Sequence, residues 1–242
     1  RRPAGGWEVL GPTATPYPHR SGGEQPTVRT TGDDIDRVTE QFRLAAARAR
    51  EVGFEIAAVH AAHGYLLHEV LSPATNDRED DYGGSFENRI RFACEVTEAV
   101  REVWPDDKPV FVRISATDWL PDRPSWDVDH SARVAPFLAD AGADLIDVSA
   151  GGATPTSKSP TPVPGYQVPY AERVGAATDA AVGAVGGITE PEQADQVIRN
   201  GRADLGLVGR EHLRNPYFAL EAAHELGVDV EWPKQYRRGR FE

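Results

Sequence analysis

The 242-residue sequence contains no methionine, one cysteine and only three lysines. The lone cysteine, Cys94, excludes an internal disulfide framework and a metal cluster built from cysteine alone. This scarcity of cysteine predicts a reducing, cytoplasmic location. Because methionine is missing even at position 1, we expect the chain to be part of a longer polypeptide.

Long apolar runs and an excess of basic residues are also lacking. No apolar stretch approaches the roughly 20 residues that a membrane-spanning helix needs, so no membrane partner is expected. The formal net charge of −12 argues against nucleic acid or an anionic membrane as a main partner. The acidic excess is equally consistent with adaptation to a salty cytoplasm and with coding bias that leaves a solvated acidic face.

Apolar periodicity divides the chain into alternating helices and strands. Residues 1–31 are rich in Pro, Gly and Thr, show no period and predict a long loop. From Asp33, apolar residues recur at three- and four-residue steps, which predicts a helix that ends at Gly53. Further helices are predicted over 86–103, 129–141, 170–177, 191–200 and 216–226, strands near 54–60, 109–115, 144–149, 181–186 and 204–208, and a polar tail over 232–242.

Strands that alternate with helices predict a parallel sheet built from βαβ units in one α/β domain, residues 1–242. The polar and glycine residues at the carboxyl ends of the strands are typical of a (β/α)8 TIM barrel, whose site lies at that face. A doubly wound sheet also binds ligands there, but its G-x-G-x-x-G turn is missing. We therefore expect a partial TIM barrel with only the last five βα units present, since five strands cannot close an eight-stranded barrel.

Two histidines, His60 and His63, close the first of these strands and are followed by Gly64 and Tyr65. Histidines three residues apart can be metal ligands, with His68 or Glu69 completing the site. They can also be structural side chains that form local hydrogen bonds at a strand end. The pattern alone favours the structural role and leaves the metal site open.

Arg113 lies inside an apolar strand, where an arginine needs an anionic or hydrogen-bonding partner. That partner is either an acidic residue inside the barrel or a ligand. The last two strands end in Gly186-Gly187 and Gly209-Arg210. Glycine lets the backbone approach a ligand, and barrels often hold phosphate in these last loops. Glycine pairs are also common in ordinary turns, so this indication is weak by itself.

Residues 60–89, HAAHGYLLHEVLSPATNDREDDYGGSFENR, resemble the segment after the fourth barrel strand of Old Yellow Enzymes, the FMN-dependent ene-reductases among the NADH:flavin oxidoreductases. The resemblance implies FMN as cofactor, NADH or NADPH as electron donor, and an activated alkene as substrate. It implies that His60 and His63 hydrogen-bond the carbonyl or nitro oxygen of the alkene and that Tyr65 protonates its α-carbon. No metal is then expected. The segment from Arg78 to Arg89 is interpreted as scaffold, with Tyr82 as an alternative cavity-lining residue.

The same resemblance extends to the cofactor side. Arg113, in a V-R-I-S stretch, is implied to contact the flavin near N1 and C2=O. The stretch that begins at Gly209 resembles the family's G-R-E-x-L-R-x-P phosphate segment. The residues implied to hold or line the FMN side are Arg113, Ser149, Gly151, Gly152, Gly186, Gly187, Gly209 and Arg210.

The tail around Arg238 resembles the Q-Y-x-R-G end of the thermophilic-like branch of the family. There the arginine reaches a neighbouring subunit's substrate site, which implies a homodimer or homotetramer. The alternative is a solvated terminus. Because the first three strands of the family are not in this sequence, we expect weak FMN binding by the isolated chain.

The expected activity is reduction of the C=C bond of enones and enals. A non-redox, phosphate-binding barrel lyase or synthase is the alternative from another reaction class. It would need a Schiff-base lysine or metal-binding carboxylates, and none of Lys108, Lys158 and Lys234 ends a strand. An inactive remnant that keeps the family pattern is the third reading.

Overall fold

The structure is a computed structural model that describes residues 9–18, 24–25 and 27–241. Its centre is a parallel sheet of five strands whose spatial order follows the sequence. In chain order the elements are β1 (Val9–Gly11), β2 (Tyr17–Pro18), β3 (Glu24–Gln25), β4 (Thr27–Arg29), α1 (Gly32–Glu51), β5 (Ala57–Ala61), α2 (Leu66–Leu71), α3 (Phe86–Val103), β6 (Val110–Ser115), α4 (Val128–Asp140), β7 (Leu145–Ser149), α5 (Val168–Gly175), β8 (Ala181–Val185), α6 (Pro191–Arg199), β9 (Leu205–Leu207), α7 (Arg210–Arg214), α8 (Phe218–Glu225) and a 3-10 helix (Lys234–Gly239).

Alternation along β5, β6 and β7 divides the sheet into two unlike faces. Alternate residues such as Val59, Val112 and Ile146 are buried in the apolar core that the sheet shares with the helices. On the opposite face the register pairs His60 with Arg113 and Arg113 with Asp147. Three titratable side chains therefore lie side by side on the face that would point into a barrel.

Side-chain caps fix where the helices begin. The Thr31 hydroxyl accepts from the Asp34 N–H at 3.1 Å, while the Asp34 carboxylate accepts from the Thr31 N–H at 3.0 Å, which is a capping box. Ser85 caps α3 by accepting from the Asn88 N–H, and Asp127 caps α4 by accepting from the Asp129 and His130 N–H groups. These caps hold each helix start against the loop that precedes it.

The five predicted strands are present, and the helices predicted between them are displaced by two residues at most. The predicted loop over 1–31 instead contains the parallel pair β1–β4 and the antiparallel pair β2–β3, strands too short to show a period. The helix predicted over 216–226 is shorter and is preceded by α7, and the predicted polar tail contains the 3-10 helix. The six-residue helix α2 was not predicted because it is too short for periodicity to reveal.

Two further features concern helices. Cys94 is half-buried on α3, and burial raises the pKa of its thiol to about 12, so it remains protonated and unreactive at neutral pH. Within the described part of the chain, no helix combines the length and the apolarity needed to cross a membrane.

The segment after α2 is fastened by two buried arginines, Arg78 and Arg89. Arg78 donates to the Thr30 carbonyl and, at 2.8 Å, to the Thr30 hydroxyl, and it also pairs with Asp80. Arg89 donates to the Leu71 carbonyl at 2.9 Å. Since these bonds tie the segment to the start of α1 and the end of α2, they support its interpretation as scaffold.

We expect Arg78→Lys to lower the free energy of unfolding by about 2–3 kcal/mol, because a single ammonium group cannot reproduce the forked contacts of a buried guanidinium. Urea denaturation measures the change. Arg37→Lys is the matched control, since Arg37 forms an exposed pair with Asp34 on one turn of α1 and its replacement should cost about 0.5 kcal/mol or less. Equal losses in the two variants would contradict the scaffold role.

Candidate active site

The turn after β5 gathers the three residues predicted to face the substrate. His60 lies near the end of the strand, and its ring centre is 5.3 Å from that of His63 and 5.1 Å from that of Tyr65. His63 has a φ of 58°, a left-handed conformation that is costly for a non-glycine residue. Tyr65 is 63% exposed. The cluster therefore presents one exposed phenol and two half-buried imidazoles on the same side of the turn.

His63 is held in this conformation by the last residues of β6 and β7 and by the loop that follows β7. Its N–H donates to Ser115 Oγ at 2.9 Å, and Ser115 in turn donates to the Gly151 carbonyl at 2.7 Å. Its Nε2 lies 2.8 Å from Ser149 Oγ. A Cβ atom on Gly152 would come within 2.5 Å of His63 Cα, so only glycine fits there. These contacts offset the cost of the left-handed turn.

His68 is not available as a third metal ligand. Its Nδ1 accepts from the Gly64 N–H at 2.9 Å, and its Nε2 lies 2.9 Å from Asp118 Oδ1. Among the residues that the structure describes, no group of three or more His, Cys, Asp or Glu side chains is arranged to hold a metal ion. The metal hypothesis for the two histidines therefore lacks a complete ligand set within this part of the chain.

Arg113 has the acidic one of the two kinds of partner that its position suggested. Its Nη1 donates to Asp147 Oδ2 at 2.8 Å, which is the ion pair expected inside a barrel. Arg113 Nε and Asp147 Oδ1 are buried without a hydrogen-bond partner in the described part of the chain. Burial raises the pKa of the Asp147 carboxyl although the Arg113 charge opposes it. One donor of Arg113 is thus left for a ligand.

Both histidines are held in the neutral form. Burial, followed by the charge of Arg113, lowers the pKa of His60. The same two causes lower the pKa of His63 to about 4. At neutral pH the rings therefore offer uncharged N–H donors.

A cavity of about 390 Å³ lies at the carboxyl ends of the strands. The predicted site residues in its wall are His63, Arg113, Ser149, Gly186, Gly187, Gly209 and Arg210. Gly186 has a φ of 115°, and a Cβ atom there would lie 2.7 Å from Gln167 Nε2. The cavity therefore joins the predicted cofactor residues to one of the substrate histidines.

Other predicted residues lie near this cavity or away from it. The ring of His60 contacts that of His63, which lines the cavity, and the ring of Tyr65 contacts that of His60. The Gly151 carbonyl accepts from Ser115, whose Oγ accepts from the His63 N–H. Arg238 is exposed in the 3-10 helix and is not part of the wall. Tyr82 donates to Glu95 on α3 at 3.1 Å and is likewise absent from the wall.

Sequence reasoning missed Gln167 and Tyr166, which also line the cavity, and two acidic residues, Asp147 and Asp118, which bond to Arg113 and His68. Asp147 carried a usable signal, since it is a charged residue inside the apolar strand β7, as Arg113 is inside β6. Gln167 carried none, because it lies in a long connection without periodicity.

Residues 11–228 match the sequence profile of the NADH:flavin oxidoreductase / NADH oxidase family. The chain is 45% identical over 231 residues to an NADPH dehydrogenase of Listeria monocytogenes serotype 4a (strain HCC23), and 47% identical over 233 residues to one of Geobacillus thermodenitrificans (strain NG80-2). Each alignment covers 96% of this chain and 66% of the relative, so the chain spans just under two thirds of those proteins.

Solved structures give the same result. A 2-naphthoyl-CoA reductase complex superposes with a TM-score of 0.81 at 26% identity, covering 91% of this chain and 33% of that one. Morphinone reductase in complex with tetrahydroNAD superposes with a TM-score of 0.69 at 25% identity, covering 94% and 62%. The chain belongs to the NADH:flavin oxidoreductase / NADH oxidase family. The predicted family and the predicted partial TIM barrel are confirmed.

We expect Arg113→Met to raise the pKa of His63, because a positive charge that disfavours protonation is removed. The pKa should stay below that of a free histidine, since burial is the larger cause. An NMR titration of the histidine ring protons measures the pKa of His63 in the parent chain and in the variant. Arg133→Met, which removes an exposed arginine over the Phe86 ring, is the control and should leave His63 unchanged. An unchanged pKa in Arg113→Met would contradict the proposed electrostatics.

Glu69 lies one turn after Tyr65, and its N–H donates to the Tyr65 carbonyl at 2.9 Å. Burial raises the pKa of its carboxyl from 4.5 to about 7. Between these pH values the folded chain keeps a proton that the unfolded chain has lost. The free energy of unfolding therefore falls as the pH rises through this window.

Glu69→Gln should remove this loss of stability. We expect the variant to exceed the parent chain by about 1–2 kcal/mol in free energy of unfolding at pH 8, and to match it near pH 4, below the ordinary pKa of 4.5, where the carboxyl is protonated in both the folded and the unfolded chain. Chemical denaturation at the two pH values measures the difference. The exposed Glu79→Gln should show no such dependence. A gain of the same size at both pH values would show that titration of the Glu69 carboxyl is not the cause.

Proposed function

We propose that this chain forms the substrate side and the phosphate side of the site of an FMN-dependent oxidoreductase, which uses NADH or NADPH to reduce the C=C bond of activated alkenes such as enones and enals. The observation that carries the proposal is the cavity that joins His63 and Arg113 to the two glycine-rich strand ends. The names of the relatives, NADPH dehydrogenase and morphinone reductase with a bound nicotinamide analogue, support a nicotinamide electron donor.

The residues present suit FMN on structural grounds. The unpaired Nε of Arg113 is a buried, charged donor suited to an electron-rich acceptor on the flavin ring. Arg210 lines the same cavity and makes no ion pair within the described part of the chain, which leaves its charge for a phosphate. Gly186 and Gly187 line the cavity without side chains, which leaves room for a ligand at that part of the wall. Arg113 would thus hold the ring, while Arg210 and the glycine strand ends would hold the phosphate.

When bound, the flavin would supply the hydride that the β-carbon of the alkene receives. His60 and His63 would donate to the carbonyl oxygen of the substrate, where negative charge develops. Their neutral rings can fill this role because each still carries one N–H that can donate to that oxygen. Tyr65 would give its hydroxyl proton to the α-carbon, so that one hydride and one proton complete the reduction.

The alternatives are less well supported. None of the three lysines lines the cavity, and Lys108 and Lys158 pair with Glu55 and Asp122. This weakens a lysine-dependent lyase. For Arg238, the proposed role remains completion of a neighbouring subunit's substrate site in a homodimer or homotetramer, and its exposure is compatible with that role. A cytoplasmic location is proposed as well.

The proposal predicts a spectral response. The chain mixed with FMN should quench flavin fluorescence, and the visible flavin absorbance should bleach with NADPH and return with an enone. Tyr65→Phe should slow the return by about 10²-fold or more at unchanged FMN affinity, whereas Arg210→Ala should weaken FMN binding.

Tyr217→Phe is the control, because Tyr217 is an exposed tyrosine that contacts Tyr236 outside the cavity. It should behave like the parent chain in both measurements. Failure of FMN to bind at any concentration would contradict the cofactor assignment. A parental rate of return in Tyr65→Phe would contradict the role of the phenol.

A further inference from the structure

The turn that carries the substrate-facing residues His63 and Tyr65 is fixed by one buried side chain, that of His68. Gly64 separates His63 from Tyr65 and has a φ of 75°. Its N–H donates to His68 Nδ1 at 2.9 Å. On its other side, a Cβ atom at Gly64 would overlap the Gly152 carbonyl. The position of this peptide therefore depends on His68 on one side and on a close backbone contact on the other.

His68 belongs to a network closed off from solvent. Its side chain is 1% exposed, and that of Asp118 is 0% exposed. Asp118 Oδ1 faces His68 Nε2 at 2.9 Å, while Oδ2 accepts from Ser72 Oγ at 2.5 Å and from the Trp126 N–H at 2.8 Å. Within the described residues, no lysine or arginine pairs with this carboxylate. Such a group is costly to bury, and its three donors are what offset that cost.

The network fixes the tautomer of His68. Because the Gly64 N–H can only donate, Nδ1 of His68 must be the acceptor and carries no proton. The ring proton is then on Nε2 and is donated to Asp118. A carboxylate that fixes the tautomer of a histidine also fixes the direction of its ring, so the acceptor stays aimed at Gly64.

We propose that His68 and Asp118 are a positioning pair, which holds the Gly64 peptide and thereby orients His63 and Tyr65 toward the substrate. The inference rests on the proposed function for its catalytic consequence. Neither residue lines the cavity or contacts the three ring side chains through any described bond, so the pair acts through the backbone of the turn.

The first test separates loss of the acceptor from loss of the ring. His68→Leu fills the space but cannot accept from Gly64, whereas the Asn side chain in His68→Asn can accept and donate. We expect hydrogen exchange of the peptide that spans residues 62–67 to accelerate about tenfold or more in His68→Leu. In His68→Asn it should stay within about threefold of the parent chain. With FMN, NADPH and an enone, the turnover number should fall about tenfold or more in His68→Leu and recover in His68→Asn.

The second test targets the tautomer. In the parent chain, long-range proton–nitrogen NMR should report His68 as neutral with the proton on Nε2. Asp118→Asn has nearly the same shape but only one oxygen for three donors, so its amide N–H₂ should turn toward His68 and move the ring proton to Nδ1. The Gly64 amide resonance should shift with it, since its acceptor is lost. An unchanged His68 tautomer and an unchanged Gly64 resonance in this variant would contradict the positioning role of His68 and Asp118.

Ser131→Ala is the matched control for a general loss of stability. Ser131 is fully buried, accepts from Trp126 Nε1 at 2.6 Å and donates to the Ala116 carbonyl, but does not touch the turn. It should lower the melting temperature without changing exchange at 62–67 or the histidine spectrum. If Ser131→Ala and His68→Leu change that exchange equally, the pair is merely structural. If the chain neither binds FMN nor turns over, the proposed function fails while the exchange and NMR results still decide the positioning role.

Discussion

The parallel register of β5, β6 and β7 is the constraint on which the site depends. It aligns His60 with Arg113 and Arg113 with Asp147 on one face of the sheet. In a parallel sheet the carboxyl ends of neighbouring strands meet at one edge, so the loops that follow these strands are brought together there. A shift of one residue in β6 would turn Arg113 toward the apolar core and replace it with Val112 or Ile114. The register therefore specifies the charge pattern of the cavity as well as its shape.

Arg113 is the charge from which the electrostatics of this edge follow. It helps keep His60 and His63 neutral and partly compensates the buried Asp147. Because Asp147 occupies only part of the guanidinium, the arginine can serve a ligand without giving up its ion pair. Arg113 thus places a positive charge beside the two uncharged histidine donors. Such an environment is suited to stabilising negative charge, both on a bound cofactor and on a substrate oxygen.

Most of the fold could be predicted because its parallel strands are apolar and its longer helices have periodic faces. The positions of His60, Ser149 and Gly186 could be predicted for the same reason, since a strand end is recognisable once the strand is. Contacts between loops could not be predicted. The Ser115 bridge to Gly151 and the packing of Gly152 on His63 join segments that are distant in sequence, and the bond from the Gly64 N–H to His68 closes a turn. They depend on side-chain direction and loop path, which have no periodic signal.

These loop contacts separate two properties of the site. Among the residues that the structure describes, the bonds that fix the turn carrying His60, His63 and Tyr65 come from the β5, β6 and β7 units. The part of the cavity suited to phosphate is built at the ends of β8 and β9. The two sets of contacts share only the cavity wall. A change that weakens cofactor binding at the ends of β8 and β9 therefore need not disturb the geometry of the turn after β5. The orientation of the substrate residues is therefore a property of the protein that can be measured without any bound cofactor.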